Sequence, residues 1–321
     1  MIIRISMKNF KAHSNIELNE LPMIVVLVGR NNSGKSSVLH AAALPRYGPT
    51  FGAAVPIGDP RQLVHHGMRN GSVEVAFKTP PITWSADFNI EGSWSGHRWQ
   101  GKGTGADQER LRLSMFYLSA IRQPLPVFSY QQFVREVGPQ GEQTWNIIHQ
   151  LKAMDDPRFS VILDWAKRFG MGISALGTPT VSPGQGEIAP ESYGHRANLV
   201  LHGSGTWSLL PILTQGVLCE NDETLLIEEP EIHLHRESID ILWEFLGECA
   251  KRGIQTMCAT HSIDLLASMN ERVEEGIIPK DSVMYLLSRS KDGKTAAERK
   301  EPSVFRNIRS VVKKELAGEG L

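Results

Sequence analysis

The chain has 321 residues, 41% hydrophobic and 21% charged, with a formal net charge of -1 at pH 7. These values fit an ordinary globular protein of one large domain or two lobes, and they exclude both a disordered chain and a globally basic nucleic-acid binder. Cys219, Cys249 and Cys258 lack metal-ligand spacing, as expected of reduced core residues in a cytoplasmic protein; no apolar run approaches the roughly 18 residues that cross a bilayer, and no signal peptide opens the chain.

Ile2 to Ile5 and Ile16 to Leu18 alternate as half-buried strands do, around a turn at Asn9 to Ser14. Met23 to Val28 is apolar and β-branched, hence a buried strand, and it runs into Gly29-Arg30-Asn31-Asn32-Ser33-Gly34-Lys35-Ser36. That run fits the pattern G-x-x-x-x-G-K-S/T, and a helix from Ser37 to Leu44, stopped by Pro45, completes the strand, loop and helix the motif needs. Glycines let successive backbone N–H groups converge on phosphate oxygens, and the helix start adds free amides and its positive dipole end. Gly29, Asn31, Asn32, Ser33, Gly34 and Ser37 are expected to line the phosphates, Lys35 to reach the β and γ phosphates, and Ser36 to hold Mg2+.

Next come a Pro- and Gly-rich loop over 45–60, meander strands at Ser72 to Phe77 and Ile82 to Ile90, a glycine-rich flexible turn over 91–106, and a buried strand from Leu111 to Ala120. From about 124 to 198 the texture changes. Val127 to Val137, Thr144 to Met154 and Pro157 to Phe169 suit helices, and the tract 177–195 is rich in Gly and Pro. The aromatics Phe128, Phe133, Trp145, Phe159 and Trp165 read mainly as core, some of them facing a partner. Helix 208–218, strand 224–227, helix 237–251 and strands 256–259 and 284–287 complete the pattern. From 289 to 316, basic residues such as Arg299, Lys300 and Arg309 oppose an apolar face that includes Val304, Phe305 and Ile308. That face either docks on the chain's own core or meets a partner or a phosphate backbone.

Three further clusters carry chemistry. Strand 224–227 ends in Glu228-Glu229-Pro230-Glu231; Glu228 is expected to hold Mg2+ and Glu229 to orient and deprotonate an attacking water. About 30 residues on, His261 closes another buried strand, within hydrogen-bonding reach of a γ phosphate. Upstream, Gly203-Ser204-Gly205 opens a helix and forms a second phosphate grip. One chain needs no second grip on one γ phosphate, but two chains arranged head to tail do; a plain helix cap is the simpler alternative.

This order of motifs resembles the ABC-type ATPases, in the branch with chromosome-maintenance (SMC) proteins, RecF and the OLD family. The opening Met1 to Lys11 is similar to their first strand and turn, Arg61 to Gly67 to their early meander, Tyr117 to Gln123 to the strand leading to the Q-loop, and Glu228 to His235 to their Walker B and D-loop. The resemblance implies an α/β fold in which an antiparallel β-meander and a mostly parallel sheet enclose the P-loop helix. It divides the chain into a core lobe (1–123 and 199–288), a helical insert lobe (124–198) and a basic amphipathic segment (289–321). It implies ATP and Mg2+ as cofactors, two ATPs buried in a homodimer or higher oligomer, Lys11 near the nucleotide, Gln123 (or else Gln62) as the Q-loop ligand to the metal, Gly203-Ser204-Gly205 acting in trans, and His233 and His235 facing the partner.

Three positions depart from the family pattern: Lys11 replaces an arginine, Glu228 the more usual aspartate, and Trp207 a frequent glutamine. They bear on turnover speed more than on ATP binding. The insert is too short for long coiled coils, and no nuclease cluster follows His261. The expected function is therefore an ATPase that closes and opens around ATP and gates a protein effector, a nuclease or toxin, as OLD-like antiphage systems do. The alternative is a RecF-type clamp that binds duplex DNA directly. A transporter subunit fits less well, since neither the Leu-Ser-Gly-Gly-Gln signature nor a stacking aromatic in the first turn is present.

Overall fold

A computed structural model describes residues 1–48, 60–122, 127–130, 134–170, 172–290 and 294–301. In chain order it contains β1 (Ile2–Phe10), β2 (His13–Asn19), β3 (Ile24–Val28), α1 (Lys35–Tyr47), β4 (Asn70–Phe77), β5 (Ile82–Asn89), β6 (Trp94–Gly101), α2 (Gly105–Leu113) and β7 (Met115–Leu118). The middle of the chain forms β8 (Phe128–Ser129), α3 (Thr144–Ala153), α4 (Pro157–Arg168), β9 (Ile173–Gly177), β10 (Thr180–Ser182), β11 (Gln185–Gly186), β12 (Ala189–Ser192) and β13 (His195–Arg196). The last part forms α5 (Ser204–Leu218), β14 (Thr224–Glu228), α6 (Arg236–Lys251), β15 (Gln255–Thr260), α7 (Ile263–Glu274), β16 (Val283–Arg289) and β17 (Thr295–Lys300).

Two sheets define the architecture. One is an antiparallel meander in the order β2-β1-β4-β5-β6; the other has the order β17-β16-β3-β15-β14-β7, parallel except for β17. Both faces of the second sheet are covered, which is why its strands are nearly continuous apolar runs. Along β3, Val25 and Leu27 point into one core, with α1 and the meander, and Ile24, Val26 and Val28 into the other, with α5, α6 and α7. The P-loop helix α1 is thus enclosed between the sheets, as the resemblance implies, and of residues 35–45 only Ser36 is exposed. Gln255 joins the layers from full burial: its amide donates to Ile2 O (2.7 Å) and Pro22 O (2.8 Å) and accepts from Ile2 N (2.8 Å).

Several local expectations are corrected. Pro45 does not stop α1, which runs on to Tyr47. Pro45 removes one helical hydrogen bond, but Arg46 and Tyr47 are both held by the Glu136 carboxylate, and Arg46 also donates to Leu113 O at 2.5 Å. The glycine-rich stretch 91–106 is not a flexible turn: it holds β6, whose Trp94 and Trp99 lean on the meander core, and the start of α2. Residues 111–113 end that helix rather than opening a strand, because Thr104 and Asp107 form a capping box at its start.

Between 127 and 137 no helix forms among the described residues; Phe128 and Ser129 instead pair with Gly186 and Gln185. The tract 177–195 builds short strands, so among the described residues the insert combines two helices with two three-stranded sheets and is mixed rather than helical. Trp145 and Phe128 are buried there, Phe159 and Trp165 pack partly against the same core, and Phe133 lies outside the described residues. From 295 to 300 the basic tail is β17, an added strand beside β16; residues 302–321 lie outside the described residues.

Candidate functional site

The P-loop follows β3 and hands over to α1 at Gly34. Two of its glycines have steric reasons. A Cβ on Gly29 would lie 2.2 Å from Leu287 O, and one on Gly34, at φ +97°, would lie 2.3 Å from the His13 ring. His13 is fully buried, its Nε2 3.0 Å from Gly34 O and its Nδ1 3.0 Å from Thr295 Oγ1, so β17 braces the loop through one imidazole. Burial lowers the His13 pKa and favours the neutral ring that this arrangement uses.

Lys35 is 8% exposed, and its ammonium donates to Gly29 O (2.9 Å) and Arg30 O (3.2 Å). Burial lowers its pKa, opposed by the charges of Glu229, Glu228 and Glu231. Asn31, Asn32 and Ser36 are exposed at the rim; Ser37 is buried. Ser33 Oγ is buried with no hydrogen-bond partner.

The structure places the acids of the β14 tip opposite this loop. Glu228 Oε1 is also buried without a hydrogen-bond partner. Behind it runs a polar chain that the sequence does not announce. Lys11 Nζ donates to His40 Nδ1 (2.8 Å), His40 Nε2 meets Tyr117 Oη (3.1 Å), and the Tyr117 hydroxyl bonds the Glu228 carboxylate. Burial lowers the Lys11 pKa to about 8, with Glu228 pulling it back up, and pushes the His40 pKa well below the usual histidine value. Lys11, linked to the nucleotide by resemblance, thus engages His40.

Glu229 adopts a left-handed backbone, φ +42°, an uncommon conformation for a side-chain-bearing residue and one that costs roughly 1–3 kcal/mol. Its N–H donates to Ala259 O at 2.8 Å. Its Oε2 stands 2.8 Å from His261 Nδ1, at ion-pair distance although out of line for a hydrogen bond, so the two expected catalytic residues do meet. His261 is largely exposed and Glu229 half-buried. A third acid joins them: ligand atoms of Glu229, Glu231 and His261 all lie within 4.8 Å of one another.

Glu231 accepts from the Thr260 hydroxyl, and burial, with Glu229 beside it, raises its pKa to about 7. It therefore holds a proton in the folded chain that it loses on unfolding at pH 5 to 6. The unfolded chain binds fewer protons in that window, so stability falls as pH rises from about 4.5 towards 7. The Glu231→Gln chain, measured without nucleotide, is expected to lose that slope, with an effect of up to about 3 kcal/mol above pH 7. Denaturation midpoints at pH 5 and pH 8 test it; equal slopes in the two proteins would count against a protonated Glu231.

Arg122, missed by sequence reading although it precedes Gln123, is 2% exposed and bonds the backbone of both Glu228 and Glu229. Gln123 itself lies outside the described residues, while Gln62 is exposed and lines a surface hollow with Lys11. The Gly203–Gly205 turn opens α5 but lines a separate cleft with Tyr193, His202, His233 and His235, to which no P-loop residue contributes. A Cβ on Gly205 would come within 2.8 Å of His233 O, and Ser208 Oγ donates to Ile232 O at 3.1 Å, so the turn is fixed to the segment that follows the acids.

Residues 24–268, most of the chain, match the family model described as "AAA domain, putative AbiEii toxin, Type IV TA system". The chain belongs to this family. A stretch of 87 residues, 27% of the chain, is 34% identical to the DNA double-strand break repair Rad50 ATPase of Methanopyrus kandleri, of which it covers 9%. Among solved structures, an SMC head bound to the C-winged helix domain of ScpA superposes with a TM-score of 0.64 at 14% identity, over 96% of this chain and 99% of that one. An SMC head with an extended coiled coil, bound to the C-terminal domain of ScpA from Pyrococcus furiosus, gives 0.63 at 11% identity over 98% and 99%, and the SMC head from Thermotoga maritima 0.53 at 14% over 94% and 99%. The fold is that of the ABC-type ATPase heads, and the protein is an ATPase of this class.

Proposed function

We propose that two copies of this ATPase close around two Mg·ATP molecules and that closure and reopening gate a protein effector, a nuclease or toxin, in bacterial antiphage defence. The observation that carries the dimer is the separation of the two phosphate grips: the P-loop faces the acids of its own chain, while Gly203-Ser204-Gly205 opens on another cleft. The residues fit the nucleotide. Ser33 Oγ and Glu228 Oε1 are buried polar atoms without a hydrogen-bond partner, the hydroxyl able to donate to a phosphate oxygen and the carboxylate able to hold a cation, and Ser36 is exposed on the first turn of α1. In this reading Gly29, Asn31 to Ser33, Gly34, Lys35 and Ser37 hold the phosphates, with Lys11 behind the site; Ser36, Glu228 and Gln123 hold Mg2+; Glu229 and His261 prepare the attacking water.

Held by Ser36, Glu228 and Gln123, a magnesium ion would supply Lewis-acid stabilisation of negative charge on the phosphates. Core (1–123 and 199–288), insert (124–198) and tail (289–321) then serve ATP chemistry, communication and partner contact, in a cytoplasmic protein. No helix among the described residues is long and apolar enough to cross a membrane. A RecF-like DNA clamp is the second reading, favoured by the similarity to a Rad50 ATPase of DNA double-strand break repair.

Ser204→Arg places a cation and a long side chain where the other copy's nucleotide would sit. The variant is expected to bind ATP as a single chain and to lose turnover, whereas the native protein doubles its mass with ATP. Native mass measurement, with and without ATP, tests this; an active Ser204→Arg dimer would overturn the trans arrangement. Duplex-stimulated turnover that weakens steeply with salt would select the clamp over the gate.

A further inference from the structure

Arg122 lies almost wholly inside the protein, yet among the described residues no carboxylate forms a hydrogen bond to it. All its bonds go to backbone carbonyls on three separate elements. Nε donates to Ser208 O (2.9 Å) in the first turns of α5, Nη1 to Ser119 O (2.6 Å) and Glu228 O (2.8 Å), and Nη2 to Glu229 O (2.9 Å). A planar guanidinium with donors in a fixed fork can span such a set; an ammonium on a flexible stem cannot. The acceptors are main-chain groups, so a shift of one element moves the carbonyl directly and strains the others.

The two ends of this bridge serve different nucleotides in the proposed dimer, and the inference rests on that reading. Glu228 and Glu229 belong to the chain's own ATP pocket. Ser208 belongs to the helix whose first residues, Gly203 to Gly205, reach the pocket completed by the other copy. We propose that Arg122 is a positioning residue that couples the two composite pockets, so that nucleotide seated against Glu228 and Glu229 sets the stance of the α5 turn offered to the partner. It touches no phosphate and takes no part in proton transfer. Its effect is to make hydrolysis at the two pockets interdependent.

The test is Arg122→Lys, with Arg122→Ala beside it, in the full chain. Affinity for a fluorescent ATP analogue with Mg2+ is expected to stay within about threefold of the native value, while kcat falls on the order of 100-fold and the Hill coefficient for ATP drops from about two to one. A lowered melting temperature with an unchanged Hill coefficient, or unchanged kcat and cooperativity, overturns the proposal. Should both variants fail to fold, hydrogen exchange in the Ser204→Arg single chain decides it. Binding of ATP is expected to slow exchange at the amides of Gly205 to Ser208 as well as at the P-loop. Protection of the P-loop with α5 unaffected overturns the coupling and leaves the ATP site intact; no protection at either overturns the ATP site itself. Native mass that stays single with ATP overturns the dimer independently of both.

Discussion

Lys35→Ala is expected to lower ATP turnover by about 10² to 10³ and to weaken nucleotide binding at least tenfold. The side chain is nearly buried and makes no ion pair within bonding distance; its ammonium is held over the loop by two carbonyls, Gly29 O and Arg30 O. Much of the desolvation of that charge is made before any ligand arrives, so phosphate oxygens meet a cation that needs little reorganisation. Removing it does two things. It deletes donors to the phosphates, each charge-assisted bond being worth about 1.5–3 kcal/mol. It also leaves Glu228, Glu229 and Glu231, whose charges act on Lys35, with less opposing charge around an incoming polyanion.

Phosphate release and equilibrium binding of a fluorescent ATP analogue measure the two effects separately. Native affinity in the variant would sink the assignment of the P-loop, because the ammonium held on Gly29 O and Arg30 O is the cation this loop offers to a phosphate. Lys35→Arg offers a second check. It keeps the charge but adds bulk under a loop in which a Cβ on Gly29 would already clash with Leu287 O, and it is expected to fall between the native protein and the alanine variant.

The elements most legible in the sequence are those with a single physical demand on them. β3, β14 and β15 have both faces covered, so each carries a short apolar run (Ile24–Val28, 225–227 and 257–259) close before its chemistry: Gly29, Glu228 and His261. α2 was hidden because Leu111 is its one buried residue, so no apolar stripe marks it; the Thr104 and Asp107 capping box was the available signal. β8, β11 and β13 are two residues long, too short for any period, and their pairing is decided by distant chain. α7 follows Ser262, whose side chain accepts from Leu265 N, a cap readable only once His261 is known to close a strand.

The same division runs through the site. The loop, the paired acids and the histidine are contiguous motifs and can be read locally. His40 meets Tyr117 across 77 residues of sequence and Arg122 meets Ser208, Glu228 and Glu229 across 86 to 107, and residue type alone does not reveal such contacts. Lys11 shows how motif resemblance and geometry can diverge: a cation expected to face the nucleotide is turned to an imidazole whose pKa burial has lowered.

Glu229→Gln is expected to bind ATP with near-native affinity, to hydrolyse it about 10² to 10⁴ times more slowly, and so to accumulate the ATP-bound dimer. The side chain has the attributes of a general base: it is half-buried, it sits one residue past the strand tip, and its oxygen meets His261 Nδ1 at 2.8 Å. The left-handed backbone at Glu229 turns the chain sharply there, and the Arg122 bond to Glu229 O and the Ala259 bond to Glu229 N fix that turn. Glutamine keeps the size and the polar contacts of the side chain but cannot accept a proton from water. Binding should survive for that reason, and the lost step should be chemistry alone. Glu231 supplies the rival assignment. It lies within 4.8 Å of the same His261 and shares the cluster, and its pKa, raised to about 7, suits a base near neutrality; its carboxylate, however, is already engaged by the Thr260 hydroxyl. Single-turnover rates of Glu229→Gln and Glu231→Gln at pH 6.5 separate the two. A slow Glu231→Gln with a normal Glu229→Gln would reverse the roles, and normal turnover in both would remove the strand-tip acids from catalysis.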